Sequence, residues 1–302
     1  MTQPVVALKI DVDTYAGTRD GVPVLLELLA RHQAKGTFYF CLGPDHTGRA
    51  LRRIFTRKGF LQKALRSGAP SAYGLKTMLY GVLLPGPIIY KTCAATMRLV
   101  EQQGHEAGIH AWDHVSWHDY LIGNDLAFVK SELGQAAHGF KQVFDRLATT
   151  TAAPGWTVSA DSLAIQDQMQ LAFCSDSRGS GPFYPVMDSQ RFSTLQLPTT
   201  LPTADELLGR DGLTPESLPD YYLSQLKPGL NVLTIHTELE GGVISTSFDR
   251  FLAALANEGI PCITLAEARR SITTAPHCQL TMGMIPGRAL PVALQGAEVP
   301  SP

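Results

Sequence analysis

The chain lacks any pair of cysteines at C-x-x-C spacing. Its five, Cys41, Cys93, Cys174, Cys262 and Cys278, are scattered and odd in number. That excludes a disulfide framework and a zinc ribbon, and it suits a reducing compartment. No apolar run reaches the roughly 18 residues that a membrane-spanning helix needs. The opening Met1-Thr2-Gln3-Pro4 carries no basic segment ahead of an apolar one, so neither a signal peptide nor a transmembrane helix is expected. No Gly-x-Gly-x-x-Gly follows a strand-like run and no phosphate-binding loop is present, so no organic cofactor is implied. Positive charge is not in excess either. A net charge of −2 argues against a nucleic-acid partner.

What is present is an ordered globular composition, 44% hydrophobic and 17% charged over 302 residues, long enough for a large core. Short β-branched or apolar runs alternate with amphipathic ones. Val5–Asp11 reads as a strand and Thr18–Lys35 as a helix whose apolar side is Leu25, Leu26, Leu28 and Leu29. Further strands are expected at Thr37–Leu42, before His110, and at Thr149–Ala153, Leu171–Ser175, Leu195–Leu197, Asn231–His236 and Pro261–Leu265. Helices are expected between them over Cys93–Gln103, Asn124–Leu147, Ser159–Gln168, Pro215–Leu226 and Ser247–Asn257. This βα alternation implies a mostly parallel sheet covered by helices, and about seven repeats favour a closed or nearly closed barrel.

Two segments break the rhythm. Residues 46–100 contain no Asp or Glu but ten of the 25 Lys and Arg residues, beside a Gly- and Pro-broken apolar run, Met78–Tyr90. From Ala275 on the chain is rich in Pro and Gly without periodicity, and a loose, surface-draped tail is expected. The domain reading is therefore a catalytic barrel over 1–274, with an insertion at 46–92, and a tail over 275–302.

Chemistry concentrates at strand ends, where the loops of a parallel barrel converge. Asp11 and Asp13 close the first strand. His110 and His114 follow another, spaced so that one helical turn would aim both imidazoles at a single ion. With Asp13 they make a two-imidazole, one-carboxylate set that leaves coordination positions open. Asp11, adjacent but not easily a fourth ligand, is better placed as a general base. His236 ends a strand and suits a general acid, while Asp176 could orient it and Arg178 could hold an anionic group.

These motifs resemble the polysaccharide deacetylase family. The matching residues are the acids Asp11 and Asp13, His110-x-x-x-His114, Ala153-Pro154-Gly155-Trp156, Asp176 and His236. The resemblance implies a distorted (β/α) barrel of about seven parallel strands and amide-bond hydrolysis by a deacetylase or deformylase. It also implies one divalent metal ion (Zn, Mn or Co) on Asp13, His110 and His114, with Asp11, His236 and Asp176 catalytic. Longer stretches, including Asp11–Pro23, Gly108–His114, Ser175–Gly179, Leu201–Asp211 and Thr234–Gly241, are similar to one branch of the family. That branch removes formyl from 4-deoxy-4-formamido-L-arabinose on undecaprenyl phosphate during lipid A modification.

For this chain the branch implies substrate contacts at Trp156, Arg178, Arg19 and Glu238. It further implies a polyprenyl-phosphate-linked sugar as substrate, an anionic membrane surface contacted through the basic segment, and a cytoplasmic, peripheral location. The alternatives are a deacylase of another carbohydrate, such as peptidoglycan or chitin, and a catalytically silent binding barrel. Two departures stand out. Many relatives place an Arg two residues before the motif Pro to pair with the base, where this chain has Ala152, and Thr157 stands where an Arg is expected after the Trp. Arg178 or another cation would then have to compensate.

Overall fold

The structure, a computed structural model, describes residues 3–51 and 76–300. Its main sheet is parallel. Strands β1 (Pro4–Val12), β2 (Thr37–Cys41), β3 (Glu106–Ala111), β4 (Thr150–Thr151) and β5 (Phe173–Cys174) lie side by side. On the other flank of β1 runs β8 (Gly229–His236), giving the order β5-β4-β3-β2-β1-β8, and the short β9 (Cys262–Ile263) pairs with the start of β1.

The two end strands do not pair directly. The extended segment 195–201 bridges them instead. Leu197 N donates to Cys174 O at 2.7 Å on the β5 side, and Thr200 N donates to Val232 O at 3.0 Å on the β8 side. The result is the distorted barrel that the alternation predicts. Leu195–Leu197, expected as a strand, is this closing segment.

The pleat sorts the side chains. Successive residues of a strand face opposite ways. Val6, Leu8, Ile10 and Val12 of β1, Phe38 and Phe40 of β2, Ala107 and Ile109 of β3, and Leu233 and Ile235 of β8 face the helices and form the main core. Ala7, Tyr39, Ala152, Phe173, Leu195, Leu197 and Val232 form a smaller core inside the barrel. Lys9, Asp11 and Asp13 continue the inward row that Ala7 begins. Gly108 of β3 belongs to that interior as well, since a Cβ there would lie 2.6 Å from the Tyr39 ring.

The helices obey their end signals within a few residues. Val22–Arg31 has Pro23 in its first turn and buries Leu25, Leu26, Leu28 and Leu29. Leu126–Phe144 is capped by Asp125, and Ala160–Gln168 by a Ser159 capping box. Ala94–Gln102, Leu218–Gln225 and Ser245–Asn257 supply the other expected helices.

The tail is the main correction. Residues 277–298 are not loose: β10 (His277–Gly283) and β11 (Val292–Glu298) pair antiparallel. They join β6 (Tyr184–Met187) and β7 (Gln190–Arg191) in a second, four-stranded sheet. Arg178 N donates to Ala293 O at 2.8 Å, which fastens β11 to the loop after β5. Pro and Gly content concealed this pairing, because a hairpin added to a distant strand leaves no local period. Of the basic segment, residues 52–75 lie outside the described residues. Its flanks form short 3₁₀ turns at Thr47–Leu51 and Thr77–Leu79.

One buried imidazole makes stability depend on pH. His105 lies edge-on to Phe38 and accepts from Gly36 N at 3.3 Å. Burial, and then the Lys35 ammonium, push its pKa down to about 4, against roughly 6.5 in an unfolded chain. Below that value the unfolded chain binds a proton that the folded chain refuses. The contribution is thus complete above pH 6.5 and is lost as pH falls toward 4, at most about 3 kcal/mol. Urea unfolding across this window should show the slope in wild type and a flatter profile in His105→Gln; identical slopes would remove His105 as its source.

Candidate active site

The ends of β1, β3 and β8 converge on one cluster. Asp13 follows β1, His110 lies on β3, and His114 opens the helix His114–Tyr120. Their ligand-type atoms all lie within 4.8 Å of one another. His110 and His114 do not share one helical turn, as their spacing suggested: one belongs to a strand and the other to the helix start. Asp113 makes that geometry possible, because its carboxylate caps the helix by accepting from Val115 N and Ser116 N at 3.0 Å each. The same carboxylate accepts from His46 Nδ1 at 2.5 Å, and Asp113 N donates to Glu132.

The donor chemistry fits a divalent cation. His110 Nδ1 is held by Ala152 O at 2.6 Å, which leaves Nε2 as the inward ring atom. That Nε2 is 3.2 Å from Asp13 Oδ1, and His114 Nε2 is 3.6 Å from Asp13 Oδ2. Asp13 Oδ1 is buried with no aligned hydrogen bond among the described residues. Burial by itself would raise the pKa of Asp13, but the imidazoles of His114 and His110, together with His236, hold it far below the usual carboxylate range. An anionic Asp13 and two inward imidazole nitrogens are the ligands a Zn²⁺-type ion takes.

Asp11 sits beside this cluster, in register with His236 across the β1–β8 pairing. Adjacent parallel strands lie about 4.8 Å apart, so the two residues face the same space from neighbouring strands. Asp11 is paired, and its partner is Lys9. Lys9 Nζ donates to Asp11 Oδ1 at 2.7 Å and Oδ2 at 2.5 Å, and Lys9 is fully buried. Two residues upstream on the same inward face of β1, Lys9 supplies the cation missing at Ala152. The sequence reading passed over it, although a lysine within an otherwise apolar strand, spaced i, i+2, i+4 with two acids, was a usable signal.

Burial lowers the Lys9 pKa, and Asp11 works against that shift. The ammonium also lies 5.2 Å from the Trp156 ring centroid and 5.8 Å from that of Tyr39. Trp156 is itself held in a left-handed conformation, φ 52°, after Gly155 at φ 59°. Gly155 packs so closely on His118 that a Cβ would come within 2.4 Å of its ring.

Asp176 does not orient His236. It is fully buried and accepts from Ala153 N at 2.6 Å, Gln166 Nε2 at 2.9 Å and Gln196 Nε2 at 3.1 Å. Those bonds fasten the Pro154–Trp156 turn, and burial raises the Asp176 pKa. His236 is instead anchored through its backbone N, which donates to Glu240 Oε2 at 2.8 Å. Its Nδ1 has no hydrogen-bond partner among the described residues. Burial pushes the His236 pKa down, but Asp13, Asp205, Asp11 and Glu240 outweigh it and raise the pKa.

The other expected contact residues are dispersed. Glu238 is buried and tied to the loop after β1, accepting from Thr14 Oγ1 at 2.6 Å and Thr14 N at 3.1 Å. Burial, with Asp13 nearby, raises its pKa to about 8. Arg19 is half exposed, pairs with Asp20 and lies over the Tyr15 ring. Arg178 donates to Glu206 and lies 5.0 Å from the Trp156 ring centroid.

The family model for polysaccharide deacetylase matches residues 1–174, a span that includes Asp11, Asp13, His110 and His114. The chain belongs to the polysaccharide deacetylase family. A protein of Shewanella sediminis, described as a probable 4-deoxy-4-formamido-L-arabinose-phosphoundecaprenol deformylase ArnD, is 37% identical over 263 residues, 87% of this chain and 85% of the relative. A Wigglesworthia glossinidia brevipalpis protein of the same description is 32% identical over 276 residues, 90% of this chain and 96% of the relative.

Among solved structures, a polysaccharide deacetylase candidate from Mycobacterium smegmatis shares the fold. Its TM-score is 0.58 at 17% identity, covering 88% of this chain and 90% of that one. A pseudoenzyme of the same fold from Bacillus anthracis has a TM-score of 0.51 at 13% identity, covering 88% of this chain and 66% of its own. The family affiliation makes this chain a hydrolase of the deformylase and deacetylase type, acting on an amide C–N bond.

The Lys9–Asp11 pair is testable through stability. Lys9→Met leaves a buried carboxylate without its cation and should cost about 3–5 kcal/mol in chemical unfolding. Asp11→Asn placed on the Lys9→Met background should recover part of that loss. Strictly additive costs in the double-mutant cycle would show that the pair is not coupled.

Proposed function

We propose that this protein hydrolyses the formamide of 4-deoxy-4-formamido-L-arabinose carried on undecaprenyl phosphate, releasing formate and the aminoarabinose lipid. One observation carries the reading. Asp13, His110 and His114 gather within 4.8 Å beside an acid and an imidazole that are in register on neighbouring strands. The two relatives described as ArnD deformylases support the choice of substrate.

A divalent ion held by Asp13, His110 and His114 would supply Lewis acidity to the formyl carbonyl and to the attacking water. Asp11 takes the proton of that water as its oxygen bonds to the formyl carbon. Lys9 donates to both carboxylate oxygens of Asp11 and so fixes the direction in which that carboxylate points. His236, across the reacting carbon, protonates the sugar nitrogen as the C–N bond breaks. The carboxylates of Asp205, Asp11 and Glu240 act on its ring in the sense that favours the protonated form this step requires. Asp176 acts at one remove, by fixing the Pro154–Trp156 turn.

Wild type should release formate, and not acetate, from formamido- and acetamido-sugar substrates offered in parallel. His110→Ala combined with His114→Ala should lose both stoichiometric metal and turnover. Asp11→Asn and His236→Ala should retain metal and each lose about 10²–10⁴-fold in kcat. Release of acetate alone would transfer the reading to a sugar N-deacetylase, and metal retained by the double variant would move the ligand set elsewhere.

A prenyl-anchored substrate requires work at a lipid surface, and the reading includes peripheral binding at the cytoplasmic face of the inner membrane. Two features support this. The acid-free stretch 46–100 is basic, and the turn after Gly81 leaves Val82 and Leu83 54% and 75% exposed. Among the described residues no helix is long and apolar enough to cross a membrane. Basic side chains near an anionic surface contribute about 1 kcal/mol each, and exposed apolar ones enter the interface. Co-sedimentation with anionic vesicles should weaken with salt and with Leu83→Asp. Indifference of wild type to such vesicles at low salt would refute the membrane contact.

A further inference from the structure

A cavity of about 510 Å³ is lined by Arg178, Arg210, Thr200, Leu207 and Ile285 among others, and Arg178 lies 5.0 Å from the Trp156 ring centroid. We infer that this cavity is the prenyl-phosphate subsite: it takes the substrate's phosphate together with the first isoprene units of the lipid. The inference rests on the deformylase reading above and adds where the anionic linkage is held.

The charge balance points to an anion. Glu206 is shared by two guanidiniums. It accepts from Arg178 Nη1 at 2.7 and 2.9 Å and from Arg288 Nε at 2.7 Å. Arg288 comes from the segment between β10 and β11, lies 4.4 Å from the Trp156 ring centroid, and has Asp205 3.7 Å from its Nη1. Asp205 and Glu206 therefore offset Arg178 and Arg288, which leaves the charge of Arg210 over. Among the described residues the Arg210 side chain makes no ion pair or hydrogen bond. Asp211 also lines the cavity, but it is exposed at the rim, where solvent and salt screen it.

An unused donor points the same way. Arg178 lines the cavity, and its Nε is buried without a protein partner among the described residues. An unmet buried donor costs about 1–3 kcal/mol, and more when the group is charged. A phosphate oxygen is the acceptor that suits a guanidinium best. The lining also carries Leu207 and Ile285. Such apolar surface suits hydrocarbon next to the phosphate and has no use in a site for a free inorganic anion.

Geranyl phosphate is the probe, because it has the phosphate and two isoprene units but no formyl group. Calorimetric titration should show binding to wild type at least tenfold tighter than that of geraniol or inorganic phosphate. Arg210→Met should weaken geranyl phosphate binding at least tenfold, Arg210→Lys should restore part of it, and His114→Ala should leave it unchanged. Because Arg210 is only partly buried, its variants should melt with wild type, so a lost titration reads as lost contact. Equal binding by wild type and Arg210→Met, no binding at all, or inorganic phosphate binding as tightly as geranyl phosphate would overturn the assignment. So would loss of binding in His114→Ala alone, which would put the phosphate at the ligand cluster. Formate release from the phosphate-free methyl glycoside tests the deformylase reading by itself, so the two can fail separately.

Discussion

The site depends on a lysine and a carboxylate buried together inside a barrel. Removing either charge from water costs several kcal/mol even after relaxation, and only close pairing offsets it. Lys9 and Asp11 satisfy that condition because they are two residues apart on the inward face of one strand, the spacing that aligns side chains along a pleat. The pair then constrains its surroundings. It needs Tyr39 and Trp156 to close around the ammonium and a barrel narrow enough to exclude water. Next to the pair, the β1–β8 register sets His236 beside Asp11.

Trp156 is the next constraint. Its left-handed backbone is costly for a residue with a Cβ, and the structure meets the cost from three sides. Asp176 holds the preceding turn through Ala153 N, Thr199 Oγ1 accepts from the indole Nε1 at 3.1 Å, and Arg288 covers the ring from the second sheet. The residues from 275 on are thus joined to the site. β11 is tied to the loop after β5, and the segment between β10 and β11 carries a cation to the indole. A barrel lacking this second sheet would keep the ligand cluster and lose one wall around Trp156.

Much of the architecture was legible locally. Apolar and β-branched runs such as β1, with Pro and Gly at element ends, are short-range signals, and they located the parallel strands and their helices within a few residues. Asp13, His110 and His114 were legible as ligand types at strand ends, and Asp11 as an acid beside them suited to a general base. The helical-turn reading of His110 and His114 missed because one capping carboxylate, Asp113, starts the helix between them. The role expected of Asp176 missed because its hydrogen-bond partners, Ala153, Gln166 and Gln196, come from three separate segments.

Local signals were enough for the residue types of the site and the strands that carry them, since periodicity and turn chemistry act between near neighbours. Tertiary structure decided the pairings. Lys9 in place of an arginine at 152, Glu206 shared between Arg178 and Arg288, and the tail folded as a second sheet all join residues that no local period relates. Such choices follow from which charges must be neutralised once water is excluded, and that is settled only when the barrel has closed.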